Sequence, residues 1–238
     1  METFLSYLTV GNLLSVLYLV ILEAVLSVDN ALALAALVRG RLPNEADQKH
    51  ALHYGIVGAY VFRIVIIFAG VWLMDHEWVK WGAALYLVYL GVSELFFKKH
   101  AADDGEGEVG GISFKLLTPL WSTILAVELM DIMFSVDSIA VAFSVSNQIP
   151  ILVAGAVFGI LAMRFAAGFF IKLINKFPIL EKTAFVLVTI AGLKIIGELL
   201  GFHVPEVVFM PFMFAVVGGS MVLNKAKPEW FEDEKKAA

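Results

Sequence analysis

Long apolar runs alternate with short polar stretches along the chain. Seven runs reach the length of a membrane-crossing helix, near 11–38, 52–74, 79–97, 117–146, 150–172, 182–201 and 206–223. About 20 helical residues cross a hydrocarbon core of roughly 30 Å. The runs at 11–38 and 117–146 exceed that length and leave room for tilt or a break. The pattern predicts an all-α polytopic membrane protein with seven transmembrane helices. The stretch KKHAADDGEGEVGG at 98–111 is long and polar, and its Gly, Asp and Glu content predicts a solvated linker without stable structure. The resulting layout is an N-terminal segment 1–10, a three-helix unit 11–97, an acidic linker 98–116, a second three-helix unit 117–201, a seventh helix 206–223 and a tail 224–238.

Composition agrees with this layout. Of 238 residues, 60% are hydrophobic and only 16% charged, against about a quarter charged in soluble domains, which leaves no room for a large soluble domain. The absence of cysteine excludes disulfide frameworks, thiolate metal sites and thiol catalysis. A net charge of −5 gives no basic footprint for nucleic acid. Met1–Tyr7 carry Glu2 and no Lys or Arg, so the first helix is expected to stay rather than be cleaved as a signal.

The basic residues set an orientation. Of the 17 Lys and Arg, thirteen fall in the tail and in the first, third and fifth loops, Lys80 stands alone on the opposite side, and Arg63, Arg164 and Lys194 lie within apolar runs. The positive-inside rule predicts a multi-pass protein of the cell membrane, N-terminus outside and C-terminus cytoplasmic.

The two three-helix units repeat each other. LSVDNALALA at 26–35 returns as FSVDSIAVAF at 134–143, aligning Asp29 with Asp137, Asn30 with Ser138, Ser27 with Ser135 and Glu23 with Asp131. GIVGAYVFR ends at Arg63 and GAVFGILAMR at Arg164, while VSEL and IGEL align Glu94 with Glu198. An odd number of helices per copy inverts the second copy, so the expected relation is a pseudo-two-fold axis in the membrane plane. In such transporters the substrate site lies at the midplane between repeats, which singles out Asp29 and Asp137.

Seven acids fall within the apolar runs (Glu23, Asp29, Glu94, Glu128, Asp131, Asp137 and Glu198) against the three bases. Even complete one-to-one pairing leaves four carboxylates that need protons, water or a bound cation, because an unpaired charge in the membrane is costly. Arg63 and Arg164 read as structural counter-ions or gates, and Lys194 reaches Glu198 at an i,i+4 spacing. Glu94 and Glu198 stand near run ends, where reaching toward water lowers the cost. Residues six apart differ by about 9 Å along an ideal helix and about 120° around it. Glu23 with Asp29, or Asp131 with Asp137, therefore meet one ion only if the helix unwinds at SVDN or SVDS; otherwise one carboxylate binds and the other guides entry or carries a proton. Glu128 and Asp131, three apart, share a face.

Carboxylates, the Asn30 carbonyl, the hydroxyls of Ser27, Ser135 and Ser138, and carbonyls freed at a break are hard oxygen donors suited to Mg²⁺, Ca²⁺ or Mn²⁺. Met130 and Met133 read as packing residues. No HExxH sequence or activated Ser or Cys supports an enzyme. GEGEVGG lacks the Lys-Ser/Thr ending of a phosphate-binding loop, so transport is expected to be secondary rather than ATP-driven.

The segments EAVLSVDNALALA from Glu23 and ELMDIMFSVDSIAVA from Glu128 resemble the TerC family of integral membrane proteins, over about residues 10–225. The resemblance implies metal binding or passage at Glu23, Asp29, Asn30, Asp131, Asp137 and Ser138. By their position in the apolar runs rather than by the resemblance, Glu128, Glu94, Glu198, Arg63, Arg164 and Lys194 are secondary metal or gating candidates. That family was named through tellurium resistance, and its members are associated with manganese export and with metal supply to secreted proteins. Partners implied are the lipid bilayer, a divalent ion, and the secretion machinery or secreted metalloenzymes; no resident cofactor is expected. Many members read DSIPA where this chain reads DSIAV, and Ala140 at the proline position weakens the expectation of a sharp kink in the fourth span. The function expected on these grounds is Mn²⁺ export by alternating access, with proton antiport and uniport both open. The competing expectations are export of a small charged organic molecule and a non-transporting role in metalation of secreted proteins.

Overall fold

Thr9 opens the first helix: its hydroxyl accepts from the Asn12 amide at 3.2 Å, a side-chain cap that replaces one of the missing intrahelical bonds. The computed structural model describes residues 9–74, 76–96, 108–109, 112–113 and 118–226, without the side chains of Val71, Leu73, Met74, Glu108, Val109, Ile112, Ser113, Asp137 and Ala140. Its elements are α1 (Val10–Leu26), α2 (Val28–Arg41), α3 (Glu45–Met74), α4 (Glu77–Phe96), β1 (Glu108–Val109), β2 (Ile112–Ser113), α5 (Pro119–Val145), α6 (Ile149–Lys176), α7 (Ile179–Leu199) and α8 (Glu206–Ala226). The helices reproduce the apolar runs, with α3 starting seven residues earlier than expected because the polar segment from Glu45 continues the helix beyond the apolar stretch.

Among the described residues, five helices are long and apolar enough to cross a membrane, and the α1–α2 pair, bent by 54°, makes a sixth when counted as one span. α7 is 21 residues long but carries Glu181, Lys182, Lys194 and Glu198, which sets it apart from those five. Residues 1–8, most of the linker 98–116 and residues 227–238 of the tail lie outside the described residues. Within the linker, β1 and β2 pair antiparallel, Glu108 opposite Ser113 and Val109 opposite Ile112, where the polar composition predicted no structure. The sequence between them is Gly110-Gly111, a pair that two-residue hairpin connections favour.

The long first run is broken and the long fourth one is not. At Ser27 the backbone leaves the helical region (φ −97°, ψ 17°), ending α1 and starting α2. α5 runs unbroken through Asp131 and Ser138 to Val145. Ser135 donates to the Asp131 carbonyl of its own helix at 2.7 Å, so its hydroxyl decorates the helix rather than opening it.

α2 forms the centre of the bundle. Every residue from Ala31 to Val38 is buried, as expected for a helix apolar on all sides, and α3, α5, α6 and α7 pack around it. Its alanines let neighbouring backbones come close, the packing mode on which membrane helices rely. Three further contacts use glycine. A Cβ on Gly58 of α3 would lie 2.8 Å from Glu128 Oε2 of α5, and one on Gly159 of α6 would lie 2.6 Å from Glu23 Cγ of α1. Between α4 and α7, Gly91 faces Thr189 and the Phe185 carbonyl, while Gly192 faces Val88 and the Ala84 carbonyl.

Candidate functional site

The polar groups inside the bundle form three clusters. The first surrounds the α1–α2 break. Leu26, Ser27, Val28, Asp29 and Asn30 line a cavity of about 70 Å³ closed by Phe134 and Ser138 of α5, Lys194 of α7, and Glu206, Phe209 and Met213 of α8. The break places Asp29 and Asn30 in the first turn of α2, while the last turn of α1 presents carbonyls that an unbroken helix would have used internally. A carboxylate, an amide side chain, hydroxyls and helix-end carbonyls thus face one small space.

The opposite wall is fixed by the end of α7. Gly201 (φ 90°) lets the Phe202 amide reach the Gly197 carbonyl at 2.8 Å and its own amide reach the Glu198 carbonyl at 3.1 Å, a closing motif that turns the chain toward α8. The short connection brings Glu206 to Lys194 Nζ at 2.7 Å, beside the Lys194–Glu198 pair at 3.1 Å.

The second cluster is centred on Arg63 of α3. Its guanidinium donates to Ser135 at 2.6 Å and Ser138 at 3.0 Å and pairs with Glu23, which also accepts from the Ser27 hydroxyl at 3.2 Å. A smaller cavity, about 20 Å³, lies here between Glu23, Arg63, Leu19, Ser138 and Leu152. Ser138 lines both cavities and so stands between them.

The third cluster is the most deeply buried. Arg164 of α6 pairs with Glu128 at 3.0 Å and approaches Asp131 at 3.9 Å, and it donates to the Gly55 carbonyl at 3.3 Å. The Arg164 and Glu128 side chains are only 3% and 6% exposed. Among the described residues, Glu128 Oε2 and Arg164 Nε and Nη1 have no hydrogen-bond partner.

The structure therefore gathers Asp29, Asn30, Ser138 and Lys194 around one cavity and places Glu23 and Asp131 against arginines elsewhere. The Asp137 side chain lies outside the described residues. Glu94 sits near the end of α4 and pairs with Arg41 at 2.7 Å, away from the Asp29 cavity. Among the described residues, no three His, Asp or Glu side chains are close enough to hold a metal ion together. Glu206, absent from the sequence reading, is the new acidic member. The signal for it was Lys194 in an apolar run followed directly by a helix that opens with an acid.

Comparison with known proteins follows the same residues. The profile of the integral membrane protein TerC family matches residues 8–236. The chain belongs to the TerC family. YceF, a membrane protein of Bacillus subtilis strain 168, is 39% identical over 87% of this TerC chain and 79% of its own length. YgdQ, an inner membrane protein of Escherichia coli K12, is 30% identical over 88% of the chain and 92% of its own length. Alx of Salmonella typhi, named as a membrane-bound redox modulator, is 26% identical over 86% of the chain and 70% of its own length. No solved structure matches. Family membership makes the chain an integral, multi-pass membrane protein.

Proposed function

We propose that this TerC-family protein is a secondary transporter that exports a hard divalent cation, Mn²⁺ foremost, by alternating access, with Asp29 as the central ligand. The observation that carries this reading is the helix break at Ser27, which puts Asp29, Asn30 and the last residue of α1, Leu26, on one cavity. Discontinuous helices of this kind supply ion sites in transporters because the break frees backbone carbonyls where a carboxylate already stands. The donors are all oxygen, as Mn²⁺, Ca²⁺ and Mg²⁺ require. The cavity has room for an ion with a few waters, whereas drug-sized ligands occupy about 300–1,000 Å³, which favours an ion over an organic cargo.

The seven-span, inverted-repeat architecture belongs to this proposal. The bent α1–α2 pair counts as the first span and α7 as the sixth, its charges gathered at the two ends. Reciprocal packing supports a two-fold relation: Gly58 of span two receives Glu128 of span four, Gly159 of span five receives Glu23 of span one, and Gly91 and Gly192 of spans three and six meet each other's helices. Arg63 and Arg164, the matched guanidiniums, each hold acids of the first helix in their own repeat. The N-terminus is outside and the C-terminus cytoplasmic in this arrangement.

In the present conformation the buried segment Ala31–Val38 closes the way from Asp29 toward the Arg39 and Arg41 end. That end is clamped by Arg39 to Glu181 at 2.5 Å and to Asn175 at 2.7 Å, and by Arg41 to Glu94. The Asp29 cavity is lined instead by Glu206, the first residue of α8 after the α7–α8 connection, which is on the extracytoplasmic side in the proposed orientation. Export requires the inner clamp to open and the Glu206 wall to close, with Asp29 carried between the two. Glu23, Asp131 and Asp137 serve passage along the repeat interface. Purified protein in vesicles tests the reading: Mn²⁺ flux that competes with other divalent ions and is lost in Asp29→Asn supports it, and full flux in that variant removes it.

A further inference from the structure

The wall of the Asp29 cavity already holds a cation. The Lys194 ammonium lies 3.1 Å from Glu198 Oε1, 2.7 Å from Glu206 Oε1 and 5.4 Å from the centre of the Phe209 ring, and its side chain is only 6% exposed. Two carboxylates and an aromatic face are partners that any small cation would favour. Asp29, Lys194, Glu206 and Phe209 line the same space. Lysine suits a mobile role, since it is a compact point charge on a flexible stem, whereas an arginine fork would lock in place.

We propose that Lys194 is a tethered competitor for the transported cation. With no metal bound, its ammonium supplies the positive charge that Asp29 and Glu206 require. When the metal seats on Asp29, the ammonium withdraws and becomes more accessible, and its return helps drive the metal out. The competitor keeps affinity low enough for release: without it, the Asp29 and Glu206 carboxylates that line the cavity would face the metal with no competing charge and hold it too long. Glu206 is the positioning residue, drawing the ammonium toward α8 and linking the state of the cavity to the α7–α8 connection. The inference rests on the reading of Asp29 as the cation ligand.

Two measurements on the purified full-length protein separate the claims. Amine labelling of Lys194, followed by mass spectrometry in wild-type protein, is expected to rise several-fold at saturating Mn²⁺ and to stay constant in Asp29→Asn. Equilibrium binding of Mn²⁺ is expected to tighten about tenfold in Lys194→Gln, within the usual range of site coupling, while Lys194→Arg binds no more tightly than wild type. The gain should vanish when Lys194→Gln is combined with Asp29→Asn. Unchanged labelling at saturating Mn²⁺, or a gain that persists in full in the double variant, overturns the competitor role while leaving Asp29 as the ligand. If Asp29→Asn alone binds Mn²⁺ like wild type, the site reading falls and the competitor with it.

Discussion

Arg164 offers the sharpest test of how the bundle tolerates its charges. Arg164→Gln removes the cation beside Glu128, 3.0 Å away, and Asp131, 3.9 Å away. At an effective dielectric constant of about 20, unit charges at 3.0 Å attract by about 5 kcal/mol. Much of that is offset by the cost of taking both groups out of water, so the pair's net worth is far smaller than its attraction. The single variant, however, leaves a buried carboxylate with no counter-charge, a change that costs about 3–5 kcal/mol. Glu128→Gln combined with Arg164→Gln removes both charges and should recover at least about 2 kcal/mol of that loss, as contacting pairs couple by up to about 3 kcal/mol. Asp131 still lacks its partner in the double variant, so recovery stays partial. Reversible unfolding in mixed micelles, followed by tryptophan fluorescence, measures Arg164→Gln, Glu128→Gln and the double variant. If the double variant loses the sum of the single losses or more, Glu128 and Arg164 are not a compensating pair and the reasoning fails.

Gly159→Ala forces a methyl to within 2.6 Å of Glu23 Cγ, whereas Gly168→Ala on the same helix meets open space. The first should cost about 1–3 kcal/mol by overpacking and the second should be neutral or stabilise by up to about 1 kcal/mol, read from the same unfolding titration. Ser138→Ala removes one of the two hydroxyls that accept from Arg63. A loss of about 1–2 kcal/mol is expected, and an unchanged midpoint would mean that water replaces the hydroxyl. A reporter fused after Lys227 should register on the cytoplasmic side in intact cells; an extracytoplasmic signal would remove the proposed orientation and the assignment of Glu206 to the outer face.

The apolar pattern located the helices because a spanning helix demands a long run of one character, whereas the other structure that satisfies the backbone in lipid, a closed barrel, demands alternation. The difference between the two long runs was only half legible. SVDN at Ser27 and SVDS at Ser135 carry the same serine and aspartate, yet the first breaks and the second does not. The Ser27 hydroxyl bonds to the Glu23 side chain, which Arg63 holds, while Ser135 returns its hydroxyl to its own helix and accepts from Arg63. Ala140 in place of proline removes the strongest local reason for a kink in α5. The i,i+4 pair of Lys194 with Glu198 and the shared face of Glu128 and Asp131 were readable because helical spacing fixes them. Glu206 left only an indirect trace, an acid opening the helix that follows Lys194, since its pairing depends on the turn at Gly201 that folds α8 back onto Lys194. Likewise Arg39 and Arg41 counted in the sequence only as orientation signals, while the structure pairs them with Glu181 and Glu94 across the bundle.

The most direct measurement is competitive divalent-ion flux through purified protein in sealed vesicles, wild type beside Asp29→Asn and Asp131→Asn. Wild-type protein should carry Mn²⁺ down its gradient in competition with other hard divalent ions. Asp29→Asn should reduce that flux at least about tenfold, since loss of even an outer partner of a metal ligand costs about 10–100-fold. Asp131→Asn, held by Arg164 away from the cavity, should reduce it less. Wild-type vesicles that pass no divalent ion, or an Asp29→Asn protein that passes Mn²⁺ at the wild-type rate, would contradict the assignment of a cation pathway through the break at Ser27.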